Sequence, residues 1–376
     1  MPITQGTGGR FGMLKQTALG TAQATDGSFH YVAFTGCDFA PAQGVAQLPP
    51  EAGNEQALPR GTYKTGVVAA GGLDIIPRFD NRFGYWLEAA LGDCSTSTDQ
   101  TVTQYIAGTG SEPGVNCHLF GFDPDDHFSL PYLTTHKYYP HATPAEIMGE
   151  IIQDVRVQQL VINAVSADIV RARLDLLGRA AGETVWDIAP GWVAPTLDSN
   201  AAFGVTSCSG EVKLSITSGT PGTLTAFDVM NGRLTIVNNL LPPNRGRIIG
   251  SAHPVDYPCL SRTIIFETVI LLDTYDTYIQ MMAAAADPVI DAGWSCSMCA
   301  GDIDVTFLSD ELIGATSEYY SMRYRTTEGN VDWSSRPIVL VPNEPVVLAL
   351  QGVITSVDTS DLPFQLFLQN DTANYD

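Results

Sequence analysis

Positive charge is the scarcest feature of this 376-residue chain. Nineteen Lys and Arg stand against forty-one Asp and Glu, a formal net charge of −22. There is no polybasic block, basic helix or arginine-rich tail, so nothing gives the surface the electrostatic grip that holds nucleic acid. Long apolar runs are missing too. No stretch approaches the roughly 18 residues of a membrane-spanning helix, and the amino terminus MPITQGTGGRFGMLKQ lacks the charged-then-apolar order of a secretory leader. The chain is therefore expected to start in a cytoplasm, away from membranes. Seven cysteines are scattered at odd spacings, which does not make a disulfide framework, and free thiols are the expectation. Cys296 and Cys299 have CxxC spacing, but no second pair or histidine couple completes a zinc site.

The usual marks of an enzyme are also lacking. No P-loop and no GxSxG elbow occurs, and the glycine-rich GTGGRFG follows no strand, so catalytic residues and cofactors are both expected to be none. The densest chemical cluster is His118, Asp123, Asp125, Asp126, His127, His136 and His141. It could hold a divalent ion only if its loop folded on itself, and its spacing matches neither a helix-borne histidine pair nor a calcium loop. DPDDH also reads as a solvated turn. No metal site is expected, with His118, Asp123, Asp125, His127, His136 and His141 the only candidates. His30 and His253 are isolated and read as ordinary turn or surface residues.

What the chain has is strand patterning. Hydrophobic residues make up 44% and charged residues 16%, with 35 Gly and 23 Pro, which suits many short strands joined by turns and leaves little room for disorder. In Cys259 to Ala286 an apolar strand turns directly into an amphipathic helix. Gly66 to Gly92 repeats the arrangement across a polar break at Arg78, Asp80 and Asn81. Setting Phe83 on Tyr278, an offset of 195, also sets Trp86 and Leu87 on Met281 and Met282 and the strand Val67 to Ile76 on Arg262 to Leu271. That offset is about half the chain, so a tandem duplication is expected. Phe83, Trp86 and Leu87, like Tyr278, Met281 and Met282, are expected to pack each helix on its own sheet.

Further strands are predicted at RFGMLKQTALGT and HYVAFT, at HLFGF and LPYLTTHKYY, and at VRVQQLVINAV and DIVRARLDLLGR, whose alternation gives one buried and one wet face. The second half adds EVKLSIT, RLTIVNN, DIDVTFL, YYSMRYR, RPIVLV and PVVLALQGVI before a polar acidic tail ending NDTANYD. A capping box at Thr143, Pro144 and Glu146 predicts a short helix over TPAEIMGEII. Asp38 to Arg60, rich in Pro, Gly, Ala and Gln without clear period, reads as a long loop that is functional, partner-facing or disordered. The fold class is mainly β, as two tandem β-sandwich or barrel domains with a flanking helix each. Their boundaries are 1–190, carrying an insertion around 95–142, and 191–376.

In order and spacing, RFGMLKQTALGT, GTYKTGVVAAGGLDIIPRFDNRFGYWLEAALG, DVRVQQLVINAVSADIVRARLDLLGR, RLTIVNNLLPPNRG and SRTIIFETVILLDTYDTYIQMMA resemble the signatures of tail tube proteins from bacteriophages with long, non-contractile tails. The resemblance covers about 10 to 310. It implies a structural virion protein, the major tail protein, assembled in the host bacterial cytoplasm and working without catalysis. Its subunits would form stacked rings around a channel for genome passage, lined by inner strands. The acidity agrees, since an acidic wall repels phosphates over a Debye length of roughly 10 Å. With a duplication, a ring of three chains would present six domains, which is preferred over a hexamer of chains. The implied partners are other copies, tape-measure and tail-tip or terminator proteins, and double-stranded DNA passing without sequence-specific binding. The alternatives are a capsid decoration or tail terminator protein, a β-rich surface adhesin, and a metal-dependent enzyme.

Overall fold

A computed structural model describes residues 9–21, 29–48, 61–79, 81–123, 125–139, 148–179, 202–204, 210–217, 224–251, 253–273, 275–283, 299–326, 329–335, 338, 340, 342–356 and 362–375. The chain is mainly β, with every described strand pair antiparallel. The first half holds β1 (Arg10–Lys15), β2 (His30–Val32), β3 (Phe34–Cys37), β4 (Ala40–Gln47), β5 (Thr62–Ile75), α1 (Asn81–Leu91), β6 (Asp93–Ser97), α2 (Val102–Ala107), β7 (Asn116–Gly121), β8 (Leu133–Tyr139), β9 (Met148–Val165) and β10 (Arg171–Gly178). The second holds β11 (Glu211–Thr217), β12 (Thr225–Ala226), β13 (Val229–Leu240), β14 (Cys259–Leu271), α3 (Asp276–Ala283), β15 (Cys299–Leu312), β16 (Tyr319–Thr326), β17 (Val331–Ser335), β18 (Val347–Ile354) and β19 (Phe364–Asn370).

The offset that aligns the two strand-and-helix segments in sequence also relates their pairing. β4 meets β5 with Ala40 opposite Ala70 and Gln43 opposite Val67. At 195 residues further on, β13 meets β14 with Thr235 opposite Ile265 and Asn238 opposite Arg262. The irregularities recur as well. After a slip in each ladder, Val45 faces Lys64 and Leu240 faces Cys259. Upstream, Phe34 faces Ile75 and Gly36 faces Asp74, as Val229 faces Ile270 and Asn231 faces Val269. β3 and β4 together are thus the counterpart of β13.

Across the next two strands the offset becomes 176 and holds. Ala172 faces Ile75 as Leu348 faces Ile270. Val155 faces Gly178 as Val331 faces Ile354, and Val157 faces Leu176 as Trp333 faces Gly352. On the other flank, Gly12 faces Tyr31 as Lys213 faces Ala226, and Lys15 faces Leu133 as Ile216 faces Gly301. One strand order, β2-β1-β8-β9-β10-β5-(β3, β4), therefore serves the first half, and β12-β11-β15-β17-β18-β14-β13 the second. A register slip by one residue would turn every side chain to the wrong face, so agreement of so many pairs is a demanding match.

The halves are fused. β13 pairs with β9 as well as with β14, so the two sheets run on as one, and β19 pairs with β7 and β16. The strands outside the common order, β6, β7, β16 and β19, combine into an extra layer that continues from β15. In the first half Phe11 of β1 meets the ring of Phe39, between β3 and β4, edge-on at 6.1 Å and stacks on Trp86 at 6.0 Å. In the second half Phe266 meets Tyr324 at 6.1 Å and Trp333 at 6.4 Å. A single buried cluster reaches from Phe11 to Tyr375. The expected boundary near 190 lies outside the described residues.

Three local expectations are corrected. Met148–Ile152 is strand, although its sequence suits a capped helix, because β8 offers it a ladder with Glu150 opposite Lys137; the cap at Thr143 lies outside the described residues. Within Asp38 to Arg60, Ala40–Gln47 is a strand whose small, irregular residues are held by the β5 backbone and not by alternation. The carboxyl terminus is no free tail: Tyr375 is completely buried, with its ring edge-on to Tyr85 at 5.2 Å and its hydroxyl accepting from Asn370 at 2.6 Å.

Candidate functional site

Alternation along the strands gives the joined sheet one packed face and one open face. In β10, Ala172, Leu174 and Leu176 are buried, which turns Arg171, Arg173 and Asp175 outward. β14 buries Ile264, Phe266 and Ile270 and turns Thr263, Ile265, Glu267 and Val269 out, while β18 presents Ala349 and Gln351. The open face thus mixes charged and polar side chains with a few apolar ones, Ile265, Val269 and Ala349.

Its cations are neutralised. Arg173 reaches both oxygens of Asp74 at 3.0 Å, Asp175 at 3.0 Å through Nε, and Asp38 at 3.7 Å. These contacts, led by the bond to Asp74, raise the guanidinium pKa. The Gly72 amide donates to Asp38 and, with Arg173, holds that carboxyl below its ordinary pKa. Arg233 faces Glu267 at 3.8 Å, and Arg171 lies 3.3 Å from Asp168. A guanidinium is a strong phosphate ligand when its donors are free, and carboxylate pairing occupies them.

The two halves differ at equivalent places. Asp38, Asp74, Arg173 and Asp175 of the first half correspond to Arg233, Val269, Ala349 and Gln351 of the second. The open face is therefore alike in backbone in the two halves and unlike in charge.

The histidine and aspartate candidates lie apart in role. His118 on β7 is buried, with Nδ1 on the Thr96 hydroxyl at 2.8 Å and Nε2 on Asn370 Oδ1 at 2.9 Å; burial lowers its pKa to about 4. His136 on β8 is buried with Nδ1 at 2.5 Å from the Tyr31 hydroxyl. Asp123 accepts the amides of Asp125 and Asp126 at 2.9 and 3.3 Å, and Asp126 that of Phe128 at 3.0 Å, an exposed turn that also carries His127. His141 lies outside the described residues. Among the described residues no three His, Cys, Asp or Glu side chains gather as a metal cluster. His30 is not a plain surface residue: it stacks on Tyr85 at 3.6 Å, and burial followed by the nearby Arg82 lowers its pKa to about 4. The described cysteines 37, 94, 117, 259 and 299 are free thiols, with burial pushing Cys299 up to about 11; Cys296 lies outside the described residues.

Sequence reasoning missed α2. Its capping box, with Thr101 accepting from the Gln104 amide and Gln104 returning to the Thr101 amide, and its Gly108 cap in the left-handed region were both legible as TVTQYIAG. It missed the ion cluster at Arg173 because the partners come from three separate segments.

A family model described as phage tail tube protein matches residues 6–284. The chain belongs to that family. The family is structural and not enzymatic, which gives this chain a tail tube role in the virion and self-assembly into a tube. No curated protein matches the chain. Among the described residues no helix is long and apolar enough to cross a membrane. For a tail tube protein the informative features are then the open face and the sheet edges, since these are what a polymer must line and join.

Proposed function

We propose that this tail tube protein is the major tail protein, polymerising into stacked rings around a channel for genome passage, with the open face of its sheet turned to the lumen. The halves 1–190 and 191–376 act as two tube modules. Three chains then make a ring of six modules, with a hexamer of chains the second possibility. The observation that carries this reading is the recurrence of strand order, register and slips between the halves, because two modules alike in backbone can take equivalent places around one axis.

Charge supports the same reading. A wall of paired guanidiniums, amides and hydroxyls with excess carboxylate offers DNA no phosphate clamp, and repulsion acts over about 10 Å at 0.1 M salt. DNA passes without sequence-specific binding. Tape-measure and tail-tip or terminator proteins are the further partners, with assembly in the host bacterial cytoplasm. Negative-stain electron microscopy of the purified chain tests this: hollow tubes or stacked rings are expected, and particles that stay monomeric at every concentration contradict it.

A further inference from the structure

A single strand closes the extra layer. Among the described residues β6 pairs with β7 alone, and the ladder that ties both to the rest of the sheet runs through β19 to β16 and β15. β19 sets Leu366 opposite Phe120 of the first half and Leu368 opposite Met322 of the second. Its side chains reach further. Gln369 accepts the amide of Val102, the first residue of α2, at 2.8 Å and donates to the Tyr319 carbonyl at 2.8 Å. The first amides of a helix have no partner within it, so β19 satisfies one that α2 leaves open.

The residues after β19 fold back onto α1. The Thr372 carbonyl accepts Asn116 Nδ2 at 2.8 Å, and the Tyr375 ring lies edge-on to Tyr85 at 5.2 Å and to His118 at 4.6 Å. Gly84 leaves room for that ring, because a Cβ there would run into it. From α1 the packing continues. Trp86 stacks on Phe11, and Phe11 meets Phe39, whose neighbour Asp38 belongs to the ion cluster of the open face. Phe364–Tyr375 thus stands at one end of a packed path that reaches the face proposed to line the channel. Resting on the tail tube reading, we propose that Phe364–Tyr375 is a latch, whose docking on β7 and α1 makes the first half competent to assemble and whose release leaves the joined sheet folded but unable to enter the tube.

Two observations make the latch separable. The described ladders of β9, β10, β13 and β14 are made without β19, so the joined sheet does not depend on it. The bonds that dock it on the first half span 267 and 256 residues of chain, and such long closures are gained late and lost early because no contacts between near neighbours offset their entropy cost. Once docked it is firm. Phe364, Leu366, Phe367, Leu368 and Tyr375 are all buried.

Hydrogen exchange of the unassembled full chain tests this, with electron microscopy as the second reading. Tyr375→Asp puts a charge where burial does not allow one and should undock the latch. Amide exchange in Asn81–Leu91, Val102–Ala107 and Asn116–Gly121 should then quicken at least about a hundredfold, while Arg171–Gly178, Val229–Leu240 and Cys259–Leu271 keep their wild-type rates. Tubes should be lost at concentrations where the wild type forms them. Tyr375→Phe keeps the ring contacts, should stay within about tenfold of the wild type in exchange, and should assemble. Exchange in Tyr375→Asp that is unchanged or quickened everywhere alike, or tubes formed as readily as by the wild type, overturns the latch and leaves the tube reading standing. A wild type that forms no tubes overturns the tube reading, and the regional pattern of exchange still decides whether the segment undocks on its own.

Discussion

Asn238 of the second half donates its amide to the carbonyl of Ala90, in the last turn of the first-half helix α1, at 2.8 Å, and to the Val157 carbonyl at 3.1 Å. The end of a helix leaves carbonyls without internal partners. Here a residue from across the pseudo-repeat satisfies one, and Arg262 from the neighbouring strand reaches the Leu91 and Ser129 carbonyls. The packing of α1 on its own sheet is thus completed by the other half, and one buried cluster takes in residues of both.

Removing that bond should be costly. Asn238 is fully buried, so Asn238→Ala leaves two carbonyls unsatisfied and should lower unfolding stability by about 1–3 kcal/mol. Chemical denaturation of the unassembled chain measures this, and a change within error would show that the Asn238 bonds contribute nothing to holding the halves together.

The carboxyl-terminal residues should behave as core. Tyr375→Ala should destabilise by about 3–5 kcal/mol, as for other large buried aromatics, while Tyr375→Phe keeps the contacts to Tyr85 and His118 and should cost about 1 kcal/mol. The Gly84 position supports this, since an added Cβ would run into the Tyr375 ring. Thermal melts of Gly84→Ala and of the two Tyr375 variants should fall in step with that packing.

Acid should weaken the fold in a defined window. His118 and His30 have folded pKa values lowered to about 4 from 6.5, both chiefly through burial, so between these values the unfolded chain binds more protons than the folded one. Stability is then level above pH 6.5, so far as these groups go, and falls as pH drops from 6.5 toward 4. His118→Gln should flatten part of that fall in a pH series of denaturation curves.

Much of this was legible in the residues and some was not. The 195-residue offset was visible because Phe83, Trp86 and Leu87 and their counterparts stand at helical spacing, and the strands of β9, β10, β13 and β14 showed by alternation. The counterparts of β1, β8, β9 and β10 were invisible as repeats, because their offsets change with loop length and their side chains have diverged, as Leu133 and Gly301 have. β4 hid because a strand held by its neighbour's backbone needs no pattern of its own. The Arg173 cluster draws on residues 38, 74 and 175, and only the sheet brings these together.

Charge on the open face offers a functional check. Neutralising the partners of Arg173 in Asp38→Asn, Asp74→Asn, Asp175→Asn together should free its guanidinium, and the unassembled chain should then bind linear double-stranded DNA in a salt-sensitive way where the wild type does not. Fluorescence anisotropy of a labelled duplex at 50 and 200 mM salt reads this. Being half-exposed, these ion pairs should matter little to folding, by less than about 1 kcal/mol.

Cryo-electron microscopy of the assembled tube shows directly whether the two halves of the chain occupy equivalent places around the channel. Rings of three chains with near-sixfold walls are expected, first and second halves alternating around the channel. Rings in which only one half reaches the lumen would contradict that placement.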